Sequence, residues 1–159
     1  MIGAWTPTHP LSRRAQHTAT FLPDGEVLAA GGLGLIYAHA SAELYDPASQ
    51  TWTRTGNMLG PRRSHTATPL PNGQVFVVGG LAGFTSNTAL ASARRYDPVR
   101  GKWTEAGNLA VARYLHTSTL LTNGKVLVAG GLDSSSNALA SAELYDPAVG
   151  SWQSNADQQ

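Results

Sequence analysis

The stretch RSHTATPLPNGQVFVVGG, Arg63 to Gly80, decides how this chain is read. It opens on a histidine followed by small residues, passes a Pro-Asn-Gly turn and ends in an apolar run stopped by two glycines. Nearly the same phrase stands at QHTATFLPDGEVLAAGG (Gln16–Gly32) and at LHTSTLLTNGKVLVAGG (Leu115–Gly131). The histidine precedes the first glycine of its pair by 14 residues in every copy: His17 and Gly31, His65 and Gly79, His116 and Gly130. A fixed internal period means that the architecture is assembled from equal units.

Other landmarks keep the same step. Tyr45, Tyr96 and Tyr145 each lie 7 residues before a tryptophan, namely Trp52, Trp103 and Trp152. With Trp5, the tryptophans are spaced 47, 51 and 49 residues apart, so a unit of about 49 residues covers most of the chain. Only the distance from the second glycine (Gly32, Gly80, Gly131) to the tyrosine varies, at 13, 16 and 14 residues. Rigid secondary structure with one free connection accounts for this pattern; a random coil does not.

Each unit reads as four short strands. The first is HTATFL, HTATPL or HTSTLL. Asp-Gly or Asn-Gly then supports positive φ in a tight hairpin. The second strand, EVLAAGG, QVFVVGG or KVLVAGG, is continuously apolar and is expected to be buried on both faces. After the variable loop, SAELYDP or SARRYDP alternates as a half-buried strand. The Asp-Pro step ends it, because proline has no N–H for the ladder and biases the residue before it. A fourth strand centres on each tryptophan. No window carries sustained helical periodicity.

Composition agrees with short strands. Seventeen glycines and nine prolines supply turns, and only 13% of residues are charged, about half the usual share. The net charge of +1 makes no electrostatic case for nucleic acid or membrane. With no cysteine, disulfides, thiolate catalysis and Cys-ligated metal are excluded, and the redox compartment stays open. The first ten residues, MIGAWTPTHP, lack the basic and apolar regions of a signal peptide. No apolar run approaches the roughly 20 residues a membrane helix needs, so a soluble chain of unknown localisation is expected.

The apolar strand ending in Gly-Gly, the tyrosine, and the tryptophan seven residues on, at a period near 50, resemble the kelch repeat. The phrase HTAT-L-DG-V-V-GG is similar to the bacterial variety, including the propeller portion of galactose-oxidase-like proteins. The resemblance covers roughly residues 5–153 and implies an all-β fold, a β-propeller in which each repeat is one four-stranded blade. Residues 1–159 then form a single kelch-repeat domain, with blades at 17–53, 65–104 and 116–153 and an extra N-terminal strand at 3–8. The copper chemistry of galactose-oxidase-like proteins needs a Cys-linked tyrosine, which a chain without cysteine cannot form.

Closed propellers have 4 to 8 blades in most cases, so three make an open arc. Its two outer flanks would each expose on the order of several hundred Å² of apolar surface, enough to drive association. Homo-oligomerisation closes the ring: a six-bladed dimer is favoured and a nine-bladed trimer comes second. Trp5 could complete a partner's third blade and would compete with Trp152 for that slot. The C-terminal SNADQQ tail is then expected to fray.

Several residues are candidates for binding. Arg14, Arg62 and Arg113 each precede the histidine by three residues and would line one channel mouth, where guanidinium groups suit an anionic ligand. The alternative is a bridge to a neighbouring carboxylate or carbonyl. Arg13, Arg63 and Tyr114 sit beside them. The variable loops share that face of the disc, with Tyr37, Phe84 and Leu35 as partner contacts. His17, His65 and His116 could form a metal-binding ring, but hydrogen bonding within or between blades is the preferred reading. The glycine pairs, the tyrosines and the tryptophans are read as structural.

No catalytic set emerges and no cofactor is called for. The chain is read as a non-enzymatic binding or scaffold module whose partners are itself and either a protein or a small anionic ligand. The competing readings are a portion of a larger propeller enzyme and a chain made to study propeller assembly.

Overall fold

The computed structural model describes residues 7–154. Twelve strands form three four-stranded antiparallel sheets, each a simple meander in chain order. Blade 1 holds β1 (Thr18–Phe21), β2 (Val27–Ala30), β3 (Ala42–Asp46) and β4 (Thr51–Arg54). Blade 2 holds β5 (Thr66–Pro69), β6 (Val75–Val78), β7 (Ser92–Asp97) and β8 (Lys102–Asn108). Blade 3 holds β9 (Thr117–Leu120), β10 (Val126–Ala129), β11 (Ala142–Asp146) and β12 (Ser151–Ser154). Trp152 thus lies on the outermost strand of the third sheet. Trp5 and the tail after Ser154 lie outside the described residues, and with them the expected competition between terminal strands.

The register is the same from blade to blade. Tyr45 pairs with Val27, Tyr96 with Val75 and Tyr145 with Val126, and each tyrosine pairs on its other side with its tryptophan. The β1–β2 turn is a three-residue loop: Leu22 N–H donates to the Glu26 carbonyl at 2.9 Å, and Gly25 takes φ +93°. Positive φ falls on the glycine alone and not on the aspartate before it, as in a type I turn closed by a left-handed glycine. Asp46, Asp97 and Asp146 close the next turns by accepting the N–H of Ala48, Val99 and Ala148.

Blades join through their faces. Side chains on β6 alternate, and all four of its residues are buried. Val75 and Val77 enter a cluster with Leu28, Ala30, Ala42 and Met58 of the first repeat, together with Tyr96 and Trp103. Phe76 and Val78 enter a second cluster with Val126, Val128 and Tyr145. The Phe76 ring stacks on Tyr145 with centroids 4.4 Å apart. Burying such a ring fully is worth roughly 2–3 kcal/mol relative to leaving it wet. The expected two-faced burial of the second strand is therefore complete in the middle blade. In β10 one face looks outward and Leu127 and Ala129 remain partly exposed, whereas in β2 only Val27 does and Ala29 is sealed.

The first strands lie side by side, β1 against β5 and β5 against β9. Between the latter two, Thr68 Oγ1 and Ser118 Oγ share a 2.6 Å hydrogen bond.

Candidate binding face

Three segments meet at one end of every blade: the residues before the first strand, the glycine pair and the variable loop. Ala15 bridges to Leu33, and Leu33 to Ala38. The same ladder recurs as Arg63–Leu81–Ala89 and as Tyr114–Leu132–Ala138. Antiparallel topology thus puts the arginine loops and the variable loops on the same side.

The structure places the arginine side chains inside that end, not on it. The Arg113 guanidinium donates to the carbonyls of Gly130 (3.0 Å) and Ser141 (2.9 Å) and to Ser141 Oγ, and pairs with Glu143 at 3.1 Å. Arg14 repeats this with Gly31, Ser41 and Glu43. Arg62 binds the Gly79 and Ser92 carbonyls and Ser92 Oγ. Arg62 and Arg113 are 1% and 0% exposed. The expectation of a cationic mouth lined by all three is corrected: each guanidinium is spent tying its own second strand to its third, as a five-donor fork can. Tyr114 is corrected likewise, being buried with Leu81 and Ala89 and sharing a hydrogen bond with Ser136 Oγ. Arg63 is the arginine of this set that reaches across a joint, donating to Gln16 Oε1 at 3.0 Å and to the Gly83 carbonyl.

The glycine pairs have two physical requirements. Gly31 and Gly32 take φ of +65° and +99°, and the other pairs are similar. A Cβ on Gly31 would also sit 2.6 Å from the Arg62 carbonyl of the next blade, and one on Gly79 2.5 Å from that of Arg113. The second glycines use the same carbonyls: Gly32 N–H donates to Arg62 and Gly80 N–H to Arg113.

His65 and His116 belong to these joints. His65 Nε2 lies 3.1 Å from Thr18 Oγ1, and His116 Nε2 lies 2.9 Å from Thr66 Oγ1. Burial, reinforced by Arg62, pulls the His65 imidazole down to about 3. Burial and then Arg113 pull His116 down to about 4. Among the described residues, no three His, Cys, Asp or Glu side chains gather as metal ligands.

The first two variable loops offer apolar side chains to solvent, whereas the third exposes Ser134, Ser135, Ser136 and Asn137. Leu35, Ile36 and Tyr37 stand out from the first variable loop, with Tyr37 58% exposed, and Phe84 is 43% exposed on the second. Ile36 is an addition to the residues singled out from sequence, where an aliphatic neighbour carried no separate signal. The first loop borders a cleft lined by Arg13, His39, Arg54 and Asn57. No helix among the described residues is long and apolar enough to cross a membrane.

Comparison with known proteins agrees with the repeat. The Kelch motif profile matches residues 62–110 and 113–154. Kelch-like protein 15 of Danio rerio is 33% identical over 134 residues, covering 84% of this chain and 21% of that protein. The Gallus gallus protein of the same name is 32% identical and the Mus musculus one 31%, again over 84% of the chain, which covers 26% and 21% of them. The chain therefore spans about a quarter or less of the length of these relatives. Its glycine pairs, its tyrosine–tryptophan steps and its stacked four-stranded sheets place it in the kelch-repeat family.

Proposed function

We propose that this chain is a protein-binding propeller module that acts by contact and not by catalysis, and that closes its ring by associating with itself. Two copies give six blades. The reading rests on one observation: the same joint is built twice, and its two halves recur on the outer flanks. On the flank of blade 3, a Cβ at Gly130 would meet only the Leu139 carbonyl, at 3.7 Å, where Gly31 and Gly79 are pressed by the next blade's carbonyl. On the flank of blade 1, Tyr45 and Trp52 hold the same tilted pair as Tyr96 and Trp103, with centroids 5.1 and 5.0 Å apart, yet Tyr45 and Trp52 are only half-buried. Seating blade 1 of a second copy on blade 3 would bring the Arg14 carbonyl to Gly131 N–H and His17 to Thr117. It would also set Tyr45 against Leu127, as Tyr145 lies against Phe76.

The exposed side chains of Leu35, Ile36, Tyr37 and Phe84 then supply the contact face for a protein partner, since exposed aromatics are favoured anchors. Light scattering on the purified chain tests the assembly. Twice the 16.7 kDa chain mass is expected. Three times that mass replaces six blades by nine, and a single-chain mass at high concentration overturns self-closure. A second reading has its own support: the matched 134 residues make up only 21% and 26% of two of the relatives, so covalently linked blades could cover the same flanks. The single-chain mass is the result that reading expects.

A further inference from the structure

Blade 2 differs from its neighbours at the third-strand position that partners the buried arginine. In blades 1 and 3 the third strand carries a buried glutamate, Glu43 or Glu143, paired with the buried arginine of its own blade. These carboxylates also collect backbone donors. Glu143 accepts the N–H of Ala110 at 2.7 Å and of Val111 at 3.1 Å, and Glu43 accepts that of Ser12. In blade 2 the same register position, opposite Val77 as Glu143 is opposite Val128, is Arg94. A carboxylate is thus replaced by a second guanidinium.

The consequences are visible. Arg62 keeps its carbonyl contacts but has no anion, and its Nε is buried with no partner, whereas Arg14 and Arg113 donate theirs to Ser12 and Val111. Arg94 Nε is also buried and unpartnered. The Arg94 terminal nitrogens reach the Ala93 carbonyl at 2.8 Å, the Leu59 carbonyl at 3.4 Å and, at 3.8 Å, the largely exposed carboxylate of Glu105. Burial, together with the Arg94 charge, lowers Arg62 to about 10. The loop whose Leu59 carbonyl accepts from Arg94, Leu59–Gly60–Pro61, is exposed to solvent. A buried Arg62 beside a half-buried Arg94, each with a buried unpartnered Nε–H, calls for negative charge, and guanidinium forks select oxyanions.

We propose that blade 2 binds a small oxyanion between Arg62 and Arg94, where blades 1 and 3 place the carboxylate of Glu43 and Glu143. The shared chemistry is a carboxylate-like pair of oxygens, which a free ion or an acidic side chain of a protein partner could supply. The site does not depend on ring closure.

The test uses the full ¹⁵N-labelled chain titrated with acetate, with sulfate and with a short blocked peptide containing one glutamate. The Arg62 and Arg94 Nε–H resonances should move saturably, with Arg14 and Arg113 as unmoved internal controls. Tighter binding of the peptide assigns the site to a partner side chain; tighter binding of a free anion assigns it to the ion. Arg94→Glu, which copies the residue of the other two blades, should abolish the response and raise the thermal midpoint by about 4 °C or more without any added anion. Arg94→Met should abolish the response with no requirement for a new ion pair. Uniform shifts of all four arginines, no saturation up to 100 mM anion, or an undiminished response in either variant would overturn the proposal.

Discussion

His65 Nε2 lies 3.1 Å from Thr18 Oγ1, so the side chain that opens the second blade is bonded into the first. His116 makes the same bond back to Thr66. Each joint therefore holds a buried imidazole beside a buried arginine, and each imidazole is neutral in the folded chain at neutral pH.

That arrangement sets a pH dependence. An unfolded histidine takes up its proton near pH 6.5, whereas the folded His65 and His116 resist protonation down to about 3 and 4. The unfolded chain thus binds more protons below 6.5. Stability from these groups is fully present above that pH and falls as the pH drops toward 4. The slope should approach about 2–3 kcal/mol per pH unit near pH 5 for the two groups together. Urea unfolding at pH 7 and pH 5 measures it, and His116→Gln should remove about half. An unchanged slope in that variant contradicts the assignment.

The glycine pairs predict an asymmetry between repeats that look alike. Gly79→Ala puts a methyl group 2.5 Å from the Arg113 carbonyl at φ +65° and must push blade 3 away. A loss of about 3 kcal/mol or more is expected. Gly130 has the same φ but open space, so Gly130→Ala should cost the isolated chain only about 1 kcal/mol while blocking association. Unfolding midpoints and light scattering on both variants check this. Equal losses of stability would refute the asymmetry.

Arg113 and Glu143 form a buried ion pair that also holds two carbonyls. Arg113→Ala leaves Glu143 buried and unpaired, and a loss of about 3–5 kcal/mol is expected. Arg113→Lys should recover little of it, because an ammonium cannot span the same fork of acceptors. The double variant Arg113→Met with Glu143→Leu should recover more than the lysine does. A lysine variant as stable as the parent chain would show that the fork is dispensable.

The tyrosines separate packing from hydrogen bonding. Tyr96 OH shares a 2.6 Å bond with Thr55 Oγ1, whereas the Tyr145 hydroxyl is buried with no partner. Tyr96→Phe should cost about 1 kcal/mol, and Tyr145→Phe should be neutral or stabilising by up to about 1 kcal/mol. Thermal unfolding of the pair gives the sign directly. Two losses of similar size would mean that Tyr145 finds a partner in solution.

Much of this molecule was legible before any coordinates. The 14-residue step from histidine to glycine marks a first strand, a turn and a second strand, and the turn residues place the hairpin. The seven-residue step from tyrosine to tryptophan is a third and fourth strand paired across an Asp-Pro turn. These are local matters: strand alternation, left-handed glycine and the missing N–H of proline act within a few residues.

Position within the stack was not legible. Tyr45, Tyr96 and Tyr145 stand in nearly identical words, yet the last two are sealed and the first is half-open. Nor did three arginines at one spacing reveal that they turn inward, or that the middle one lacks the glutamate the others have. Repetition by itself determined the blade, because the forces that shape a blade are short-ranged. Only the tertiary structure decided which faces are covered and which charges are paired, because those depend on a neighbouring blade about 50 residues away in the chain.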